Sequence, residues 1–297
     1  MASKNKTNCI ALTLLMATAV ITGCSTNRVT VKDVGLRAPE CVIHYEAEDV
    51  YLASNINGGV VAADGNGFIS KINPDGSVRD LKWIDGAADG VTLNAPKGMA
   101  VLDGKLFVGD VAQVRIFDIK SGKQIASVNI KEASFLNDAA AGKDAVYVTD
   151  TGLKVTNGKF GPSQTDGVFK VWPNGKYEVV AYDTKLGQPN GVMVDGDDLL
   201  LACWGSGKVI RIDPKGNRTE LPGPPKGMLD GIFKTKDGTL MVNSQVDNEI
   251  YVLKSDGTYS LFAGNLDPVS DMAYDAKRHR LIHAHAGTDS LLFIPLP

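Results

Sequence analysis

Four oxygen-bearing side chains stand out as chemistry: Glu40 in "APECVIH", Asn137 in "FLNDAAA", Asn190 in "QPNGVMV" and Asp230 in "MLDGIFK". Each follows a small or apolar residue and precedes an apolar run. Carboxylates and amide carbonyls are hard ligands, and Ca²⁺ gathers six to eight such oxygens, completing its shell with backbone and water. Glu40, Asn190 and Asp230 are therefore the expected metal ligands, two of them charged and one neutral. Asn137 is a fourth ligand or a substrate contact. Ca²⁺ is the first choice, with Zn²⁺ and Mg²⁺ as alternatives. No Cys/His cluster has zinc-ligand spacing. A single Asn-Gly or Asp-Gly pair is more often a turn than a site, so the weight lies on recurrence.

The pattern does recur. Lys97 in "APKGMAV" and Ser270 in "PVSDMAY" occupy the same place in their segments. Lys97 to Asn137, Asn190 to Asp230 and Asp230 to Ser270 are each 40 residues apart. A propeller blade takes about 40–50 residues. After each first apolar run comes a polar turn, then a second run such as "LFVGD", "VYVTD" or "LMVNS". A third strand with period-two alternation follows, as in "QVRIFDI". Six such units predict an all-β, six-bladed β-propeller with four-stranded antiparallel blades. The last unit offers only three strands, so "RVTVKDV" (28–34) is expected to close the ring as its outer strand and protect an open edge. A β-sandwich is the alternative. Two Gly-rich insertions, "NINGGVVAADGNG" and "GLKVTNGKFGPSQTDG", are expected as loops on one face.

Antiparallel pairing brings the start of each first strand and the end of each second strand to one face. Glu40, Lys97, Asn137, Asn190, Asp230 and Ser270 should then ring the channel mouth. Ser54, Asp110, Asp150, Trp204, Ser244 and His285 should form a shoulder around it. Asp230 is the first choice for a carboxylate that also moves protons, and Asn137 and His285 are the other catalytic choices. Lys97, Asn137, Asp150 and Trp204 are the expected substrate contacts. Asp138 and Asp150 are weaker proton-moving choices. His283 is expected in the core and His285 as an accessible polar group.

The chain has 297 residues and a net charge of -3. That argues against nucleic acid as a partner. Lys4 and Lys6 precede a short apolar run, Cys9 to Ile21, which ends in "ITGC". This resembles the lipobox of bacterial lipoproteins. It implies a signal peptide over 1–23, a lipidated Cys24 with a tether over 24–32, and a propeller over 33–297. Several acyl chains on one residue anchor stably. By the same resemblance, Ser25 implies the outer membrane, facing the periplasm. Cys41 and Cys203 fall on opposite sides of the domain and are expected as free, buried thiols. A monomer is expected.

Taken together, "PEC", "LND", "QPNG" and "LDG" at blade spacing resemble the senescence-marker/gluconolactonase-like family, close to the paraoxonase-like lactonases. The resemblance spans the whole mature chain. It implies a divalent metal, usually calcium, on Glu40, Asn190 and Asp230, with Asn137 on metal or substrate. It implies hydrolysis of a lactone or related ester as a small-molecule substrate. Three departures bear on catalysis. Cys41 and Val42 replace the usual context after the acid, Ala139 stands where hydrolytic members have Gly, and Lys97 joins the ring. Lys97 either pairs with Glu40 or Asp230 in place of a metal or holds an anionic group. The second reading is thus a non-catalytic, lipid-anchored propeller that binds a ligand or an envelope protein.

Overall fold

The computed structural model describes residues 28–297. The expected signal segment, 1–23, and Cys24 lie outside the described residues. Among the described residues, no helix is long and apolar enough to cross a membrane. The architecture is all-β: six four-stranded antiparallel sheets follow one another as the blades of a propeller. The inner strands are Pro39–Tyr45, Pro96–Leu102, Leu136–Ala141, Pro189–Asp195, Leu229–Lys234 and Met272–Asp275. Val29–Val31 closes the ring, pairing antiparallel with Ser290–Pro295 at Val29 to Phe293, Thr30 to Leu292 and Val31 to Leu291. The domain therefore begins by residue 29. A tether running to residue 32 is too long, because Val31 is buried against the last blade and belongs to the fold.

The core is six apolar clusters, each filling the space between adjacent blades. Phe107, Ile116 and Val128 of blade 2 pack on Val146, Val148 and Phe169 of blade 3. At the seam of the ring, Val42 and Tyr51 of blade 1 pack on Ile282, Leu291 and Phe293 of blade 6. Both faces of each blade are covered, so the second strands read as continuous apolar runs rather than as strict alternation. Each such side chain contributes roughly 1.5–3 kcal/mol relative to exposure. Cys41 and Cys203 lie in different clusters, buried and unpaired, as expected.

The local device that builds the channel mouth is a repeated β-bulge. In five blades the inner strand loses register over the same three residues: Pro39/Val42, Pro96/Met99, Leu136/Ala139, Pro189/Val192 and Leu229/Ile232. A bulge sets two residues against one and re-aims their side chains. Here the first of each pair turns to the mouth. The backbone N–H of the second is satisfied from the neighbouring strand: Cys41 donates to Ser54 Oγ at 3.0 Å and Asp138 to Thr149 Oγ1 at 3.0 Å. Gly191 permits close approach at the axis, because a Cβ there would lie 2.0 Å from the Asp230 carbonyl oxygen.

The insertion after Asp150 is not a plain loop. It forms a second small sheet, the hairpin Leu153–Thr156 with Lys159–Pro162. The four-residue alternation in "LKVT" is short enough to be lost among the surrounding glycines.

Candidate functional site

All six ring residues meet at one cavity of about 290 Å³ at the channel mouth. Glu40, Lys97, Asn137, Asn190, Asp230 and Ser270 line its floor, and all but Glu40 are 6% exposed or less. In five blades the bulge is what allows this: the ring residue leaves the pleat and turns inward. Ser270 reaches the mouth from just before its inner strand.

Three of the floor oxygens have no hydrogen-bond partner among the described residues: Glu40 Oε2, Asn137 Oδ1 and Asn190 Oδ1. Buried acceptors are normally paired, and an orphan costs about 1–3 kcal/mol. The orientation of Asn137 follows from its other end, where Nδ2 donates to Thr151 Oγ1 at 2.8 Å. The Asp230 carboxylate accepts from Gln245 Nε2 at 2.5 Å, and Gln245 Oε1 in turn accepts from Trp204 Nε1 at 2.9 Å. This relay holds Asp230 in place.

The charge balance is strained in the same place. Burial, then the Asp230 carboxylate, pushes Glu40 well above the ordinary carboxylate range. Burial, then Asp138, pushes Asp230 up to about 7. Burial likewise raises Asp138 to about 7 and Asp271 well above its usual value. Positive charge at the mouth would relieve all four.

Lys97 supplies part of that charge through space, lowering Glu40, but not by direct contact. It makes no ion pair with Glu40 or Asp230 among the described residues. Its ammonium turns to the wall, donating to Val60 O at 2.8 Å and Ala95 O at 3.2 Å, 4.4 Å from the centre of the Phe135 ring. Burial lowers it to about 8. The first Gly-rich insertion carries Val60, so the insertion holds the lysine aside.

Two residues before the ring position, three of the six blades carry a non-glycine residue at positive φ. Ala38, Gln188 and Met228 have φ of 45°, 61° and 51°, a left-handed conformation that non-glycine residues rarely adopt. They stand two residues before Glu40, Asn190 and Asp230, the three expected metal ligands. In each, the carbonyl accepts from the residue after the second strand: Ile56, Trp204 and Gln245. Those three residues also line the cavity. Such strain costs on the order of 1–3 kcal/mol and concentrates at ligand sites.

The shoulder divides. Trp204 lines the cavity as expected. Asp150 does not: its carboxylate accepts from the backbone N–H groups of Ser134, Phe135 and Gly152 at 2.5, 3.2 and 2.6 Å, fixing the loop that enters the inner strand. Asp110 does the same for Asn94 and Ala95. His285 is 2% exposed, so it is not the accessible group expected, and it does not line the cavity. Its Nδ1 faces Asp267 O at 3.1 Å and its Nε2 faces His283 Nδ1 at 3.0 Å. Burial lowers both imidazoles and keeps them neutral. His283 is in the core as expected. The physical reason is the strand period of two. Asn55, Asp110, Asp150, Cys203, Ser244 and His285 are the equivalent positions, and their side chains point away. The next residues, including Ile56, Thr151, Trp204, Gln245 and Ala286, point in. Ser54 is thus one residue early and Trp204 one late in the shoulder as read from sequence.

Asp138 also lies off the cavity. With Cys41 and Asp271 it forms a buried group whose ligand atoms lie within 4.8 Å of one another, one residue beyond the mouth along each strand. Asp138 accepts from Ala139 N and Val192 N, both at 2.7 Å, which occupies its carboxylate with backbone. Gln245, Thr151, Phe135 and Phe160 were not anticipated. The first two follow from placing the second-strand ends in register; the aromatic pair belongs to loop and insertion and carries no periodic signal.

By sequence, no family model and no curated protein matches the chain. Solved structures share its fold. A gluconolactonase from Xanthomonas campestris superposes with a TM-score of 0.69 at 21% identity, over 92% of this chain and 90% of that one. A structural-genomics chain provisionally assigned as a gluconolactonase gives 0.67 at 14% identity, over 92% of each chain. A catalytically inactive virginiamycin B lyase from Staphylococcus aureus, with quinupristin, gives 0.61 at 14% identity, over 92% and 99%. The fold is thus a six-bladed propeller, shared with these gluconolactonase and lyase structures. Because a lyase shares it, the chemistry rests on the site.

Proposed function

We propose that the chain is a hydrolase of a lactone or related ester, dependent on a divalent cation of the Ca²⁺ type. The observation that carries this reading is the convergence of three unpartnered oxygens, from Glu40, Asn137 and Asn190, beside the Asp230 carboxylate. The donor set fits a hard cation: two carboxylates and two amide carbonyls, with no thiolate or imidazole in the cavity. Glu40, Asn190 and Asp230 would hold the ion, with Asn137 beside it. A cation bound there supplies Lewis-acid polarisation of the substrate carbonyl. The gluconolactonase neighbours support this reaction class.

The chain's own residues do the rest. Burial raises Asp230 to about 7 in the metal-free fold; a bound cation would lower it and keep the carboxylate ionised, as a ligand and proton acceptor. Gln245 fixes one of its oxygens and Trp204 fixes Gln245. Lys97, held by Val60 and Ala95, keeps a positive charge on the wall and limits the negative potential of the mouth. The domain would be tethered to the outer membrane by lipid on Cys24, facing the periplasm and acting on a small-molecule substrate as a monomer. The test is lactone hydrolysis by EDTA-stripped protein before and after addition of Ca²⁺, Mg²⁺ or Zn²⁺. Turnover restored by one of them supports the reading. A broad lactone panel without turnover under all three returns the chain to the class of binding propellers.

A further inference from the structure

The amine of Lys97 is a nucleophile that the cation reading leaves unused. Lys97 is 1% exposed, yet it lines the mouth cavity, so only a molecule small enough to enter can reach it. Its cage is built from three separate places in the chain. Val60 comes from the first insertion, and Ala95 and Phe135 from the loops that enter the inner strands Pro96–Leu102 and Leu136–Ala141. The other blades carry Glu40, Asn137, Asn190, Asp230 and Ser270 at the equivalent position, so the amine belongs to one blade alone.

The cage suits a neutral amine. Among the described residues no carboxylate forms an ion pair with Lys97. Its partners are the Val60 and Ala95 carbonyl oxygens, at 2.8 and 3.2 Å, and the face of Phe135. Two carbonyls accept two N–H groups. A neutral amine has two N–H groups and a lone pair, whereas an ammonium has a third donor, which here meets only the aromatic ring. Burial acts in the same direction and lowers the group to about 8, against the through-space attraction of Glu40, Asp110 and Asp150. At pH 8 about half of such an amine is neutral, compared with roughly 0.4% of an unperturbed lysine. Desolvated lysines of lowered basicity are the ones that attack carbonyl carbons.

We propose that Lys97 is a carbonyl-capturing amine, which condenses with a small aldehyde that enters the mouth. The nitrogen lone pair adds to the aldehyde carbon, and one nitrogen proton passes to the carbonyl oxygen, giving a carbinolamine. A proton from solvent then carries that oxygen away as water, while the nitrogen lone pair closes the C=N bond. The resulting iminium keeps one N–H for the carbonyl cage and keeps the positive charge on the wall. This capture goes beyond the hydrolase reading and does not depend on it.

The experiment traps the imine with sodium cyanoborohydride, which delivers hydride to the C=N carbon and leaves a stable secondary amine. Wild type in EDTA is treated with propanal and cyanoborohydride between about pH 6 and 10, and the alkylated lysines are located by peptide mass spectrometry. At pH 8 Lys97 should react about tenfold faster than exposed lysines such as Lys215 and Lys236. Its rate should level off above a midpoint near pH 8, and its advantage should vanish in urea. Lys97→Arg should lose the fast first adduct from the intact-protein mass, while the exposed lysines react as before. Modification of Lys97 no faster than that of the exposed lysines, a rate that tracks theirs across the pH range, or a fast first adduct that survives in Lys97→Arg overturns the proposal. The measurement needs neither cation nor turnover. Its failure would leave the hydrolase reading standing, and a failure of lactone hydrolysis would leave this site standing.

Discussion

Two sets of polar side chains meet at one end of the blades, one at the ends of second strands and one at the starts of inner strands, and they are wired in opposite ways. At the shoulder, Asp110 and Asp150 spend their oxygens on backbone N–H groups of the incoming loop, and Asp110 adds the Arg115 guanidinium at 2.7 Å. At the mouth, Glu40, Asn137 and Asn190 each leave one buried oxygen without a partner. Burial alone does not separate structure from function here, since all of these side chains but Glu40 are buried. What separates them is the partner. A satisfied acid holds a loop; an unsatisfied ring is what the proposed cation site would complete.

The sharpest way to break this contrast is to exchange its consequences. Asp230→Ala should lower kcat/KM for lactone hydrolysis by at least about a hundredfold, as for loss of one transition-state stabilising group. It should leave the metal-free protein as stable as wild type or more so, because a buried charge is removed. Asp150→Ala should do the reverse. It strands three backbone donors and should cost about 2–5 kcal/mol in denaturant unfolding, while the folded fraction keeps its turnover. If Asp150→Ala lost activity without losing stability, the division would fall.

A smaller effect follows from proton linkage. Asp138 and Asp230 titrate near 7 in the metal-free fold, above the ordinary value of 3.8. A raised carboxylate stabilises fully below its ordinary value and loses that contribution as pH rises through the folded value. The melting temperature in EDTA should therefore fall between pH 6.5 and 8. Below that window the two lowered imidazoles act with the opposite sign and oppose the trend. Added Ca²⁺ should flatten the fall, so its stabilising effect should be larger at pH 8 than at pH 6.5. Equal calcium shifts at both pH values would contradict a site built on these carboxylates.

The smallest expected effect concerns Lys97. If its ammonium only adds like charge near the ion, Lys97→Met should tighten Ca²⁺ binding by about fivefold in calorimetry. Weaker binding in that variant would mean that the lysine organises the ring.

Much of this was legible in the sequence because a propeller writes its geometry as a repeat. Six polar residues before apolar runs located the mouth, and all six reach it. The closing strand was legible from the missing fourth strand of the last unit. The shoulder was not, because one residue decides which way a strand side chain points, and "LLLACW" and "VYLASN" offer no internal marker of register. The second-strand end at Cys203, next to Trp204, shows the difficulty. The aromatic wall was hidden for another reason. Phe135 lies in a loop and Phe160 in an insertion, and neither repeats from blade to blade. The fate of Lys97 also needed the fold, since the carbonyl that holds it, at Val60, comes from the other insertion.

The central claim is that the mouth ring binds one divalent cation. Isothermal titration of Ca²⁺ into EDTA-stripped protein, followed by thermal melting of the same samples, tests it most directly. One equivalent of Ca²⁺ should bind and, at a hundredfold excess over Kd, should stabilise the fold by about 2.7 kcal/mol, both effects being lost in Asn190→Ala. No heat of binding for Ca²⁺, Mg²⁺ or Zn²⁺, together with identical melting in cation and in EDTA, would contradict it.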